Sequence, residues 1–253
     1  LTVCPSGCDY GSIQAAVDAV QPGVTVEVRS GDYAGKIDIN KSLTLRGVDS
    51  GAGLPVLRQV GDDSIINITA SQVVVESFHL VQIQETVSIE KAAIVVRSSH
   101  NTILGNTFEQ CGMACILLQD ANFNSIHKNI FGEEDANTAV AVQENPPSRE
   151  GTPVGCWPQQ AVAQPALGIV ERFTIILQKA SYNQVTGNYG QQLYTQISSG
   201  TMSPGGSNNQ ASEYKSSHQN LVIGNTSKVI LEFSVSDNII SNNQGAIEIT
   251  ELT

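Results

Sequence analysis

Polar and apolar positions along this chain repeat one short phrase: Asn, any residue, Ile or Val, any two residues, Asn. It reads Asn101-Thr-Ile103-Leu-Gly-Asn106 and Asn124-Ser-Ile126-His-Lys-Asn129. It returns as Asn183-Gln-Val185-Thr-Gly-Asn188, Asn220-Leu-Val222-Ile-Gly-Asn225 and Asn238-Ile-Ile240-Ser-Asn-Asn243. Apolar and polar positions alternate within the phrase, which is the period of a strand. The first two copies start 23 residues apart, and a period in the low twenties built on short β-segments predicts a solenoid. Asn suits the bends because it tolerates left-handed backbone, and Asn side chains stacked coil on coil can bond to one another. The expected fold is an all-β solenoid.

Residues 11–21 form the expected helix. Ser12 is placed to cap it, Ile13, Ala16, Val17 and Val20 make one apolar stripe, and Pro22-Gly23 ends it. Such a helix would close the first coil as a lid. Strand signals follow at Val24–Val28, Ile37–Ile39 and Leu43–Leu45, then in the apolar runs Ala93–Val96, Cys115–Leu118, Ala139–Val142 and Phe173–Leu177. The phrase spacing widens twice, to 59 and to 37 residues, so insertions are expected at 144–168 and 198–212. Insertions in solenoids project outward and often carry the binding face. The last two copies are 18 residues apart, which predicts a short or differently turned final coil. Residues 1–253 are read as one domain.

The formal net charge of −11 argues against nucleic acid and anionic membrane surfaces as partners. No apolar run reaches the ~20 residues of a membrane-spanning helix. The opening Leu1-Thr-Val-Cys-Pro reads as the start of a mature exported product. Five cysteines, Cys4, Cys8, Cys111, Cys115 and Cys156, fall into two pairs four residues apart and one remainder. Two local disulfides are the expectation for an exported chain, beside the alternative of buried thiols. The spacing does not suit zinc, and no metal or other cofactor is expected. Asn40, Asn67 and Asn225 begin glycosylation triplets.

Residues 8–19, Cys8-Asp-Tyr10-Gly-Ser-Ile13-Gln-Ala-Ala-Val17-Asp-Ala19, lead into Val26-Glu-Val28-Arg-Ser-Gly31-Asp-Tyr33 and Lys41-Ser-Leu43-Thr-Leu45-Arg-Gly47. This stretch resembles the start of right-handed parallel β-helix proteins of the NosD-like, carbohydrate-binding-and-hydrolase group, within the pectin-lyase-like fold. The resemblance is carried by residues 3–47 and extended by the Asn repeats to about residue 243. It implies a secreted or surface protein, as in methanogenic archaea, of a family that spans enzymes, sugar binders and structural proteins.

Hydrolysis on this fold would need carboxylates grouped on one strand face. The clusters Asp62-Asp63 and Glu133-Glu134-Asp135 are adjacent in sequence, and neighbours on a strand point to opposite faces. No catalytic residue is assigned. Gln160-Ala-Val-Ala163 resembles the glutamine motif of pectin methylesterases, but the motif with their nucleophilic aspartate is missing. For sugar binding the candidate contacts are Trp157, Tyr182, Tyr189 and Tyr194. The leading expectation is a non-catalytic structural subunit of the cell envelope, a sheath or surface layer. It would assemble with copies of itself by end-to-end strand pairing and disulfides. A carbohydrate-binding surface protein, engaging cell-surface glycans, is the alternative, and a polysaccharide-processing enzyme comes last.

Overall fold

The computed structural model describes residues 1–61, 63–83, 91–111, 114–132, 175–178, 180–190, 193–198, 219–225, 227–231, 237–244 and 247–249. They build a right-handed parallel β-helix with three sheets. Sheet A stacks Thr2–Val3, Thr25–Arg29, Thr44–Val48, Val74–Glu76, Thr102–Leu104, Ser125–His127, Gln184–Thr186, Leu221–Ile223 and Ile239–Ser241. Sheet B stacks Asp32–Ala34, Val56–Val60, His79–Ile83, Thr107–Glu109, Ile130–Phe131 and Tyr189–Gly190. Sheet C stacks Ile37–Ile39, Ile66–Ile68, Ile94–Val96, Ile116–Gln119, Ile175–Gln178, Leu193–Ser198, Ser227–Leu231 and Ile247–Ile249. Every pairing between them is parallel and in register, for example Ile103 beside Ile126 and Ile94 beside Ile116.

The repeat phrase is the sheet A strand with its two flanking turns. Its central Ile or Val points inward, and Ile103, Ile126, Val185 and Val222 are all buried. The two Asn residues also point inward and form two ladders. Asn129 Nδ2 donates to Asn188 Oδ1 at 3.0 Å, and Asn188 Nδ2 donates to Asn225 Oδ1 at 2.9 Å. The first Asn of the phrase runs a parallel ladder, Asn124 to Asn183 to Asn220 to Asn238. Each rung also closes backbone groups at the bend, where a buried donor or acceptor must find a partner.

The left-handed position differs from expectation. It belongs to the residue before each Asn. In one column φ is positive at Gln72, His100, Phe123, Tyr182, Gln219 and Asp237. In the other it is positive at Ser77, Gly105, Lys128, Gly187, Gly224 and Asn242. With the bend made there, the Asn itself turns inward and reaches the next coil. Val73 and Phe78 hold the Asn positions one coil earlier, and their N–H groups donate to Asn101 and Asn106.

The helix is Ile13–Ala19, shorter than the expected 11–21, because Ser12 is its extended N-cap and Val20 its extended C-cap. Ile13, Ala16 and Val17 are buried, and the helix packs on Thr2–Val3, Thr25–Arg29 and Ile37–Ile39. Among the described residues sheet B ends at Tyr189–Gly190 while sheets A and C continue, in keeping with the 18-residue final spacing. Strands Ile94–Val96 and Ile116–Gln119 are buried on both faces: Val95 and Leu117, which the alternation turns outward, are 1% and 0% exposed. Ala92 and Ala114 pack with them in a second apolar cluster.

Candidate functional site

The chain passes from sheet B to sheet C at one corner of the coils. The connections there include 61–65, 84–93, 110–115 and 132–174, the last containing the expected insertion at 144–168. A groove lies on this corner and on the outer face of sheet C, lined by Lys36, Asp63, Ser64, Asn67, Lys91 and Arg97. Register explains their convergence. Asp38 and Asn67 are partners on adjacent strands and point outward. Arg97 follows the strand Ile94–Val96, level with Gln119 of the next coil, where the alternation again points outward.

The groove side chains form a chain of contacts along the helix axis. Lys36 Nζ is 3.3 Å from Asp38 Oδ1, and Asn67 Nδ2 donates to the same oxygen at 3.1 Å. Arg97 donates from Nη1 to Asn67 Oδ1 at 3.1 Å and from Nε to Gln119 Oε1 at 3.0 Å. Lys91 Nζ is 3.9 Å from Asp63 Oδ1 across the groove. Both Arg97 partners are neutral amides, and among the described residues no carboxylate lies within ion-pair distance of its guanidinium. Among the described residues the groove thus holds three cations, Lys36, Lys91 and Arg97, and two carboxylates, Asp38 and Asp63, with Lys36 and Lys91 each beside one of the carboxylates. A guanidinium held by neutral partners keeps donors and charge for a planar anion.

Sequence reasoning named Asp63 only within an acidic doublet and Asn67 only as a glycosylation triplet, and it missed Lys36, Lys91 and Arg97. The available signal was the position of Arg97 directly after the core run Ala93–Val96. Lys36 and Lys91 are brought in by loops of different coils, which no local spacing reveals. Residue 62, the cluster Glu133-Glu134-Asp135 and the 160–163 segment lie outside the described residues.

Of the candidate sugar contacts, Tyr182 and Tyr189 lie on different parts of the coil. Tyr182 sits at the corner between sheets C and A, whereas Tyr189 is on the outer face of sheet B beside Ile130. Tyr182 stacks on Phe123 at 4.7 Å, and Phe123 stacks on His100 at 5.1 Å, in the left-handed column. Phe123 thus has a ring on each face, and Tyr182 turns one face to its neighbour instead of to a sugar. Tyr194 is in the sheet C strand Leu193–Ser198. Trp157, Cys156 and the insertion at 144–168 lie outside the described residues, as does all of 198–212 beyond Ser198.

Two disulfides are present, Cys4–Cys8 and Cys111–Cys115, each closing a separation of four residues. Cys111–Cys115 sits in the sheet B to sheet C corner, one coil beyond the groove. Asn40 is exposed at the end of its strand and Asn67 lies in the groove. Asn225 does not fit a glycosylation site in the folded chain. It is 0% exposed, and its Nδ2 donates to Val185 O at 2.9 Å and Asn243 Oδ1 at 3.1 Å. Among the described residues no group of three His, Cys, Asp or Glu side chains is placed to hold a metal ion, and no helix is long and apolar enough to cross a membrane.

No family model matches this chain, and no curated protein matches it. Among solved structures it is similar to an alginate lyase from Paenibacillus sp. str. FPU-7. The TM-score is 0.40 and the identity 8%, over 94% of this chain and 96% of that one. It is also similar to a PL6 alginate lyase in complex with a trisaccharide, with a TM-score of 0.42 and 12% identity, over 92% of this chain and 56% of that one. The likeness is one of fold alone. Both similar structures are enzymes, which contradicts the expectation of a non-catalytic protein, and that expectation is withdrawn.

Proposed function

We propose that this chain is an exported, carbohydrate-active β-helix protein whose sheet C groove takes an acidic unit of a polysaccharide. The observation that carries this reading is Arg97, an outward guanidinium held by Asn67 and Gln119 with no carboxylate among the described residues within ion-pair distance. Lys36 and Lys91 flank it, each beside a carboxylate, and Asp38, Asp63, Ser64 and Asn67 offer groups for sugar hydroxyls. The groove lies at the corner between sheets B and C, and in solenoids the loops at such corners often carry the binding face. Two disulfides fit an oxidising compartment outside the cell. The two alginate lyases act on an acidic polysaccharide, the same chemical class.

Calorimetric titration with hexagalacturonate and hexaguluronate, against neutral cellohexaose, tests the reading. Binding of a uronate hexamer and not of cellohexaose is expected, and Arg97→Gln should weaken it by about tenfold or more, the value of one charge-assisted contact. Equal binding of the neutral sugar, or no change in Arg97→Gln, would sink the reading. The same mixtures report turnover through the absorbance of unsaturated uronate ends.

Assembly into a cell-envelope layer is a second proposal. Ile239, 61% exposed on the last described strand of sheet A, supports it as an apolar contact between molecules. Sedimentation of Ile239→Lys against the unmodified chain tests it: equal sizes for the two would count against this contact.

A further inference from the structure

Gln82 is an anomaly of the sheet B strand. Its neighbour two residues back, Leu80, faces the core, and Gln82 shares that inward face at 0% exposure. An apolar side chain is the economical choice there, since a buried amide must satisfy both of its ends. Gln82 satisfies one. Its Nε2 donates to the backbone carbonyls of Asp63 at 3.0 Å and Lys91 at 2.6 Å, while its buried Oε1 has no partner among the described residues. Those two carbonyls belong to the connections 61–65 and 84–93, and Asp63 and Lys91 are the facing pair of the groove.

We infer that Gln82 is a positioning residue for the groove: one amide group, bonded to both connections from beneath, sets the separation of Asp63 and Lys91. This inference rests on the acidic-sugar reading for its ligand, but its mechanical half stands without it. The unpartnered Oε1 argues that the residue is kept for the bridge and not for stability. Replacing it by isosteric Met loses two hydrogen bonds and also removes an unpaired buried acceptor, changes of comparable size and opposite sign.

The test is Gln82→Met with three readouts. The thermal midpoint should stay close to that of the unmodified chain. Amide exchange at Asp63, Ser64, Lys91 and Ala92 should speed up, and hexauronate affinity should fall by about tenfold. Unchanged exchange at these amides overturns the inference whatever the ligand does. Faster exchange with undiminished uronate affinity overturns the positioning role and leaves a structural bridge. If the unmodified chain binds no uronate, the proposed function fails, and exchange alone decides whether the bridge exists. Should the Met variant not fold, Gln82→Asn keeps the amide but is too short to reach both carbonyls, and the same outcomes apply to it.

Discussion

Asn129 occupies the middle of a ladder and makes bonds in three directions. Its Oδ1 accepts from the backbone N–H of Asn106 at 3.0 Å and from Asn106 Nδ2 at 3.2 Å. Its Nδ2 donates to Ile103 O at 3.0 Å and to Asn188 Oδ1. Asn129→Ala strands buried partners above and below, so we predict a loss of about 3 to 4 kcal/mol in urea unfolding. The same change at Asn243, at the partly exposed end of its ladder, should cost about 1 kcal/mol. Similar losses at both positions would contradict the argument. His127 tests a charge instead. Burial, then the neighbouring Lys128, lowers its pKa below the usual histidine value. The folded chain therefore favours neutral imidazole, and the stability this gives is present above about pH 6.5 and lost as pH falls below it. His127→Gln should flatten the decline of the melting temperature between neutral and mildly acidic pH; an unaltered decline would exclude His127 as its source. The Asn repeat was legible in the sequence because each rung sits at a fixed offset. Which way the Asn faced was not legible, since Asn serves equally well as a left-handed bend or an inward ladder.

The elements are held by what neighbouring coils place against each other. On the outer face of sheet A, Arg46 bonds to Glu76 of the next coil and lies 4.0 Å from Glu27 of the preceding one. These exposed ion pairs give register more than stability. Close approach decides more. Gly47 is buried, and a Cβ there would run into the carbonyl of Ser77 and sit 2.9 Å from Pro55 Cγ. We predict that Gly47→Ala costs about 3 kcal/mol, through displaced backbone that the coil cannot relax. Thermal melting checks it, and a neutral result would mean that the Ser77 turn yields freely. For the helical lid, the Ser12 side chain accepts from Ala15 N. Ser12→Ala should cost about 1 kcal/mol, seen as faster amide exchange confined to the helix; exchange spread through the coils would show that the lid and the solenoid open together. Lid, strands and period were all visible in the sequence as apolar spacing. The helix came out shorter than its pattern because cap residues share the apolar stripe without sharing the helical backbone.

At the scale of the molecule, a stack of coils brings together residues that sit tens of positions apart. The groove draws on Lys36, Asp63, Lys91 and Arg97 from successive coils, and its reading as an anion site carries a further prediction. Added sodium chloride should weaken uronate binding steeply, because screening acts on the charged contacts, and titration across ionic strength checks this. Salt-independent binding would point to hydroxyl recognition alone. The sequence by itself determined the class of fold, the length of the coil, the N-terminal helix and the inward apolar wall, because each of these follows from local periodicity of side-chain direction. It also placed the cysteine pairs, whose four-residue separation needs no long-range information. Only the tertiary structure decided the site. It separated Tyr182 from Tyr189, buried Asn225 in a ladder, left Arg97 with neutral partners and tied Asp63 and Lys91 to one buried Gln82. Those outcomes depend on register between coils and on which loops share a corner, and neither quantity is written at any one position of the chain.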